Sequence, residues 1–245
     1  MTMTTAALPI AETFYSLQGE GKLAGTPSWF ARLSGCNLRC SWCDTPYASW
    51  RPGAVTRTID DLVAEARATG ARHAVLTGGE PMIFPGLVPL SRALAEAGMH
   101  ITIETAGTVA PEAGLACDLM SISPKLANST PTEEQCRERG IEAAWAARHE
   151  ARRINVGALQ ALLDRFPSPR HQLKFVVRGE EDLPEIDALL ARLTGWTPAD
   201  VLLMPEGTAA PSLAQRDAVV RMCLARGWRY AHRLHIELFG NTRGP

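Results

Sequence analysis

No sign of charge dominates this sequence: 25 Lys and Arg stand against 26 Asp and Glu, a formal net charge of −1 over 245 residues. A chain so balanced carries no basic field for a phosphate backbone, so no nucleic-acid partner is expected. It also lacks any apolar run near the ~20 residues that a membrane helix needs. The first residues, Met1 to Pro9, are polar and lack the basic-then-apolar pattern of a secretion signal, so a cytoplasmic protein is expected. Long internal repeats and low-complexity tracts are missing too. Cysteine is sparse and unevenly spread: Cys36, Cys40 and Cys43 crowd together, while Cys117, Cys136 and Cys223 are scattered. A disulfide framework would disperse its cysteines and would sit in a smaller secreted chain. The scattered three read as small buried hydrophobes.

What is present is an alternation of strand-like and helix-like segments. Strands are expected at Ser28–Leu33, His73–Leu76, His100–Ile103, Asp118–Ile122, Gln172–Val177 and Val201–Met204, with one more possible over Trp228–Leu234. Helices are expected at Ile59–Ala68, Leu87–Ala97, Leu183–Leu193 and Ser212–Ala225. Repeated βα units on one core give an α/β fold with a parallel sheet. Polar and glycine-containing motifs recur just after the strand ends, the face where parallel α/β barrels place their active sites. Roughly six strands are too few to close an eight-stranded barrel. A partial (βα)6-type barrel, forming a single domain over residues 1–245, is therefore expected. Between Pro131 and Arg153, five Glu and five Arg interrupt the pattern. This density of mixed charge reads as a solvated helical insertion, roughly residues 131–165, with no chemistry of its own.

The cysteine cluster runs Gly35-Cys36-Asn37-Leu38-Arg39-Cys40-Ser41-Trp42-Cys43-Asp44, a C-x₃-C-x₂-C spacing. Three thiolates on one tight loop can hold three corners of an iron–sulfur cube and leave the fourth iron open. Structural zinc is the alternative, with a fourth ligand from Cys117 or a histidine. It prefers paired knuckles from two places, and no second pair exists here. An electron-transfer ferredoxin would use four cysteines in a far smaller chain. His232 and His235 invite a metal reading, but their strand spacing does not aim both at one point, and no metal is expected there.

With Trp42 before the last cysteine, and with Thr77-Gly78-Gly79-Glu80-Pro81 following a later strand, the chain resembles the radical S-adenosylmethionine (SAM) superfamily. The resemblance implies a [4Fe-4S] cluster on Cys36, Cys40 and Cys43 whose open iron chelates SAM and cleaves it reductively to a 5′-deoxyadenosyl radical. It sharpens on Glu12 to Gly21 (ETFYSLQGEG), Cys43-Asp44-Thr45, Ser123-Pro124-Lys125 and the closing Gly240-Asn241-Thr242-Arg243-Gly244-Pro245. These look like 7-carboxy-7-deazaguanine synthases, over nearly the whole chain except Pro131–Arg153. That family is a lyase of queuosine and deazapurine biosynthesis. It contracts 6-carboxy-5,6,7,8-tetrahydropterin to 7-carboxy-7-deazaguanine with loss of ammonia, and it requires Mg²⁺. The alternatives are a glycyl-radical-enzyme activase, which also has a short cluster-bearing barrel, and an iron–sulfur electron carrier.

By resemblance, Leu17, Gln18, Gly19, Glu20, Arg32 and Thr77 meet the substrate. Arg32 suits a carboxylate because its planar fork binds one bidentately, with a surface ion pair as the alternative use for it. Gly79, Glu104, Ser123, Lys125 and Gln172 are assigned to SAM. Met204 and Glu206, in the segment after the last sheet strand, are placed at the adenosine or in a plain strand–helix loop. Thr45 offers a hard hydroxyl ligand for Mg²⁺, or else caps the turn before Pro46. The terminal carboxylate of Pro245 pairs with the two adjacent donors of the pterin edge, in competition with Glu20. The apolar Ile236–Phe239 would anchor that tail. The resemblance also implies a homodimer, to which Trp196 and Trp228 could contribute if they are not core residues, and an electron donor such as flavodoxin.

Overall fold

The chain enters its sheet through β1 (Ala7–Leu17), which runs antiparallel to both β2 (Pro27–Leu33) and β3 (Val55–Thr58) in a computed structural model that describes residues 7–244. The short α1 (Pro46–Ser49) lies in the loop between β2 and β3. From there the pattern is strand after helix: α2 (Ile59–Ala68), β4 (His73–Gly78), α3 (Leu87–Glu96), β5 (His100–Thr105) and β6 (Leu119–Ile122). Three helices follow, α4 (Glu133–Glu138), α5 (Trp145–Arg152) and α6 (Val156–Arg165), before β7 (His171–Val177). The chain continues through α7 (Leu183–Leu190), β8 (Val201–Pro205), α8 (Leu213–Arg226), β9 (Arg229–Tyr230) and α9 (Leu234–Phe239).

Local chemistry sets these boundaries. Thr58 caps α2 by accepting from Asp61 N–H, and Ile59, Leu62 and Ala66 put its apolar stripe inward. Ser212 and Gln215 form a reciprocal capping box on α8, which stops at Gly227 in the left-handed conformation (φ 67°).

The sheet order is β3-β1-β2-β4-β5-β6-β7-β8-β9, and the pairs from β2 to β9 are all parallel. Consecutive strands stay neighbours with no reversal of order. That is the progression of a barrel rather than of a doubly wound sheet, and it stops open. The six expected parallel strands are all present. The antiparallel edge of β1 and β3 is an addition, and β9 is a two-residue remnant of the expected strand over Trp228–Leu234.

Side-chain alternation splits the sheet into two faces. Ala31, Leu33, Leu76, Ile103, Met120, Ile122, Leu173, Phe175 and Leu203 join the main core beneath the helices. Their alternates Arg32, Thr77, Glu104, Ser121, Lys174 and Met204 line one cavity on the inner side. The register places Arg32 beside Thr77 and Glu104 beside Ser121, so the polar row crosses neighbouring strands at one level.

The charged stretch divides in two. α6 buries Leu159, Leu162 and Leu163 in the main core and serves as the crossover helix between β6 and β7. The excursion proper is α4 and α5, and it is not wholly solvated, because Cys136 and His149 are fully buried. Trp196 and Trp228 pack against the main core. In α9 only Ile236 is buried, while Leu238 and Phe239 are exposed.

Leu76 sits at the centre of the outer face with no exposure. Leu76→Ala should lower the unfolding free energy by roughly 2–5 kcal/mol, measured by urea denaturation under anaerobic conditions.

Candidate active site

Two loops that leave adjacent parallel strands build the site. The cysteine loop follows β2 and the Gly-Gly-Glu-Pro loop follows β4. They meet backbone to backbone: Gly79 N–H donates to Leu33 O (3.1 Å) and Glu80 N–H to Gly35 O (2.9 Å). A Cβ on Gly79 would lie 2.3 Å from Gly35 O and 2.7 Å from Ala48 O, so only glycine permits this approach. Glu80 is fully buried and pins the next loop. Its carboxylate accepts from Met82 N–H (3.0 Å), Ala106 N–H (2.8 Å) and Thr105 Oγ1 (2.8 Å).

Cys36, Cys40 and Cys43 all face a cavity of about 540 Å³. Arg39 braces their loop by donating to Cys36 O (2.8 Å) and Leu38 O (2.7 Å) while stacking 4.1 Å over Trp145 of α5. Burial pushes the Cys36 thiol up to about 12 and raises Cys40 and Cys43 as well. These thiols therefore ionise by binding metal, not by titration in the free protein. Leu38 N–H points at Cys36 Sγ (3.4 Å), and Ser49 Oγ lies 3.0 Å from Cys43 Sγ. Hydrogen bonds of this kind tune the potential of a thiolate-bound cluster.

The donor set fits three corners of an iron–sulfur cube: three thiols on one loop face one cavity, and no fourth cysteine stands among its lining residues. The scattered Cys117, Cys136 and Cys223 are buried away from it.

Most of the residues expected at the site come together here. Leu17, Gln18, Gly19, Glu20, Arg32, Thr45, Thr77, Gly79, Glu104, Ser123, Lys125 and Met204 line the cavity. Glu104 accepts from Gln18 Nε2 (3.1 Å) and Thr77 Oγ1 (2.9 Å), which joins three of them. Lys125 Nζ donates to both Ser123 O and Ser123 Oγ at 2.8 Å. Arg32 donates through Nε to Glu12 (2.7 Å), a carboxylate that also accepts from Tyr47 Oη (2.6 Å) and Arg243 Nε (3.2 Å). The Thr45 side chain makes no capping bond to α1, so the turn-cap role is not the one it fills.

Two residues stand apart. Gln172 is buried between Lys22 N–H (2.7 Å) and Ser121 Oγ (2.7 Å), where it clamps the loop after β1 and does not line the cavity. Glu206 lies outside it as well, 3.8 Å from Arg178. Pro245 lies outside the described residues; Asn241 to Gly244 lead to it along the cavity lining.

Sequence reasoning missed Lys174, Arg233, His235, Glu12 and Tyr47, all of which line the cavity. Lys174 had a signal: it is the lone charge in β7, a strand buried at every position. Its ammonium is bonded to Glu20, which also lies 3.4 Å from Arg233. Arg233 continues to Asp44 at 3.4 Å. Burial opposes the Glu20 charge, but Lys174 and Arg233 prevail and hold its carboxyl down to about 2. Glu20 is thus ionised and already partnered.

Comparison with known proteins agrees with this geometry. Residues 32–160 match the Radical SAM superfamily. A 7-carboxy-7-deazaguanine synthase of Halobacterium salinarum is 50% identical over 243 residues, covering 96% of this chain and 92% of the relative. One from Rhodopirellula baltica is 46% identical over 240 residues, covering 98% and 89%. The crystal structure of QueE from Escherichia coli superposes with a TM-score of 0.66 at 29% identity, covering 94% of this chain and 95% of that one. The protein is a radical SAM enzyme, and that superfamily implies a [4Fe-4S] cluster and SAM. Within it, the chain belongs to the 7-carboxy-7-deazaguanine synthase family.

The depressed Glu20 carboxyl has a pH consequence. Its stabilisation is complete above its ordinary value of about 4.3 and is lost as pH falls toward 2. In stepwise denaturation of the cluster-free protein, the stability advantage of the native chain over Glu20→Gln should shrink across that window. An advantage that stays constant down to pH 2 would contradict the pairing.

Proposed function

We propose that this cavity converts 6-carboxy-5,6,7,8-tetrahydropterin to 7-carboxy-7-deazaguanine with loss of ammonia, the lyase step of queuosine and deazapurine biosynthesis. The observation that carries the reading is one cavity shared by the three-thiol loop and the polar row of the inner sheet face. Cys36, Cys40 and Cys43 would hold the cluster, and Gly79, Ser123 and Lys125 would hold SAM beside it. When bound, these groups supply the radical that takes a hydrogen atom from the substrate.

The chain's own residues bind and orient. Arg32 keeps its terminal nitrogens for the substrate carboxylate while Glu12 fixes the guanidinium through Nε. Gln18 and Thr77, each bonded to Glu104, present a rigid polar wall to the pterin ring, while Glu104 keeps its assignment to SAM. Glu20, held by Lys174 and Arg233, offers acceptors to the pterin edge. The Thr45 hydroxyl, 3.8 Å from Cys43 Sγ, is assigned to Mg²⁺, which keeps its remaining sites for substrate and water oxygens.

The continuous sheet supports a single domain. No helix among the described residues is long and apolar enough to cross a membrane, in keeping with a cytoplasmic enzyme. A homodimer is supported by an exposed stripe on α8, Leu213 (82%), Val220 (37%) and Leu224 (77%). A one-electron donor of the flavodoxin kind would supply the reducing equivalent.

The test is an anaerobic assay of the reconstituted enzyme with SAM, reductant and the carboxytetrahydropterin. Deazaguanine absorbance should appear, and its absence with a loaded cluster overturns the assignment. Thr45→Val should lower turnover and blunt the Mg²⁺ response without changing iron content. An unaltered Mg²⁺ dependence removes Thr45 from the metal.

A further inference from the structure

The charged excursion carries one side chain that the reaction does not account for. His149 of α5 has no exposed surface, and it lies under the cysteine loop. Arg39 N–H donates to its Nδ1 at 3.0 Å. Its Nε2 lies 3.0 Å from Ser129 Oγ. Ser129 Oγ gives its own proton to Leu126 O (2.6 Å), so it accepts from the imidazole. This fixes the tautomer: Nε2 carries the proton, and Nδ1 is free to receive the Arg39 amide.

The backbone of Ser129 acts on the other side of the same cysteine. Ser41 N–H donates to Ser129 O at 2.8 Å. Arg39 and Ser41 are the two neighbours of Cys40, so both flanking amides are held by one linked pair, His149 and Ser129. The Cys40 carbonyl is taken as well, by Trp50 Nε1 at 3.1 Å. Cys40 lies in an irregular stretch of chain with no helix or strand to satisfy its peptide groups. Buried amides there need partners, and those partners set where the sulfur points.

We propose that His149 is a positioning residue for the cluster: with Ser129 it latches the backbone N–H groups of the two residues that flank Cys40, holding that sulfur ready to ligate iron. The inference rests on the assignment of the cluster to Cys36, Cys40 and Cys43. It gives the excursion after β6 a task, that of a buried brace behind the cluster loop. Trp145, one turn earlier on the same helix, adds to it by stacking on Arg39.

Three variants test it, each reconstituted anaerobically as the full chain. His149→Leu removes the acceptor. His149→Asn keeps an acceptor oxygen at the Nδ1 position and loses only the reach to Ser129. Ser129→Ala leaves the Ser129 carbonyl in place and frees the imidazole. The readouts are iron and sulfide per chain, the electron paramagnetic resonance spectrum of the reduced cluster, and the rate of iron loss to a chelator. His149→Leu should lose iron roughly tenfold faster, the usual scale for removing a group that orients a metal ligand, with an altered spectrum. His149→Asn should recover most of the native values, and Ser129→Ala should fall between. If His149→Leu does not fold, Ser129→Ala decides, and native spectrum and native iron loss in it overturn the latch. So does a folded His149→Leu with native values, or an Asn variant that loses iron as fast as the Leu variant. A native chain that takes up no cluster at all defeats the cluster assignment itself, which separates the two failures.

Discussion

The site depends on one close approach: the backbone of Gly79 lies against the backbone of the cysteine loop, with room for no side chain between them. Two adjacent parallel strands end at the same level, and their loops must share the space above the sheet. The β4 loop solves this by giving up its Cβ. It places Glu80 underneath, where two hydrogen bonds tie it to the end of β5 and a third, from Met82 N–H, closes its own loop. Three consecutive strand ends are thereby locked together before any cofactor binds. The thiols then occupy one side of a cavity whose floor is the inner face of the sheet.

That inner face shows how a parallel sheet, usually buried on both sides and apolar on both, becomes a binding surface. One alternation of side chains packs under the helices, and the other turns Arg32, Thr77, Glu104, Ser121 and Lys174 inward. The charges do not stand alone. Lys174 and Arg233 answer Glu20, and Glu12 answers Arg32, Tyr47 and Arg243. Charges desolvated in this way are stable only as partners, so each one fixes the geometry of its neighbour.

Much of this was legible in the sequence. The six parallel strands announced themselves as short apolar runs, and each motif at a strand end could be placed because barrels keep their chemistry on that face. The cysteine spacing pointed to an iron–sulfur cube over zinc, and the Gly-Gly-Glu-Pro motif after a later strand narrowed it through the family resemblance. β1 and β3 were not legible, because an antiparallel edge with one solvated face carries no continuous apolar run, and its polar ETFYSLQGEG stretch read as a motif before it read as a strand. The partners of Gln172 were not legible, because position on a strand does not say which neighbour takes the side chain, and Lys22 and Ser121 take this one. Arg233 and His235 were missed because they follow the last sheet strand. The chain there turns back over the cavity mouth, a path that no local pattern encodes. The excursion looked solvated because ten charges hide two buried residues, His149 and Cys136.

In the proposed reaction Cys36, Cys40 and Cys43 hold three irons of a cube and leave the fourth corner to the cavity. Mössbauer spectroscopy of the ⁵⁷Fe-reconstituted enzyme, recorded without and with SAM, tests it directly. One iron of the four should change its isomer shift on SAM addition while the other three stay as they were. A spectrum in which all four irons are indifferent to SAM would mean that a fourth protein ligand closes the cluster, and the account of the cavity would fall with it.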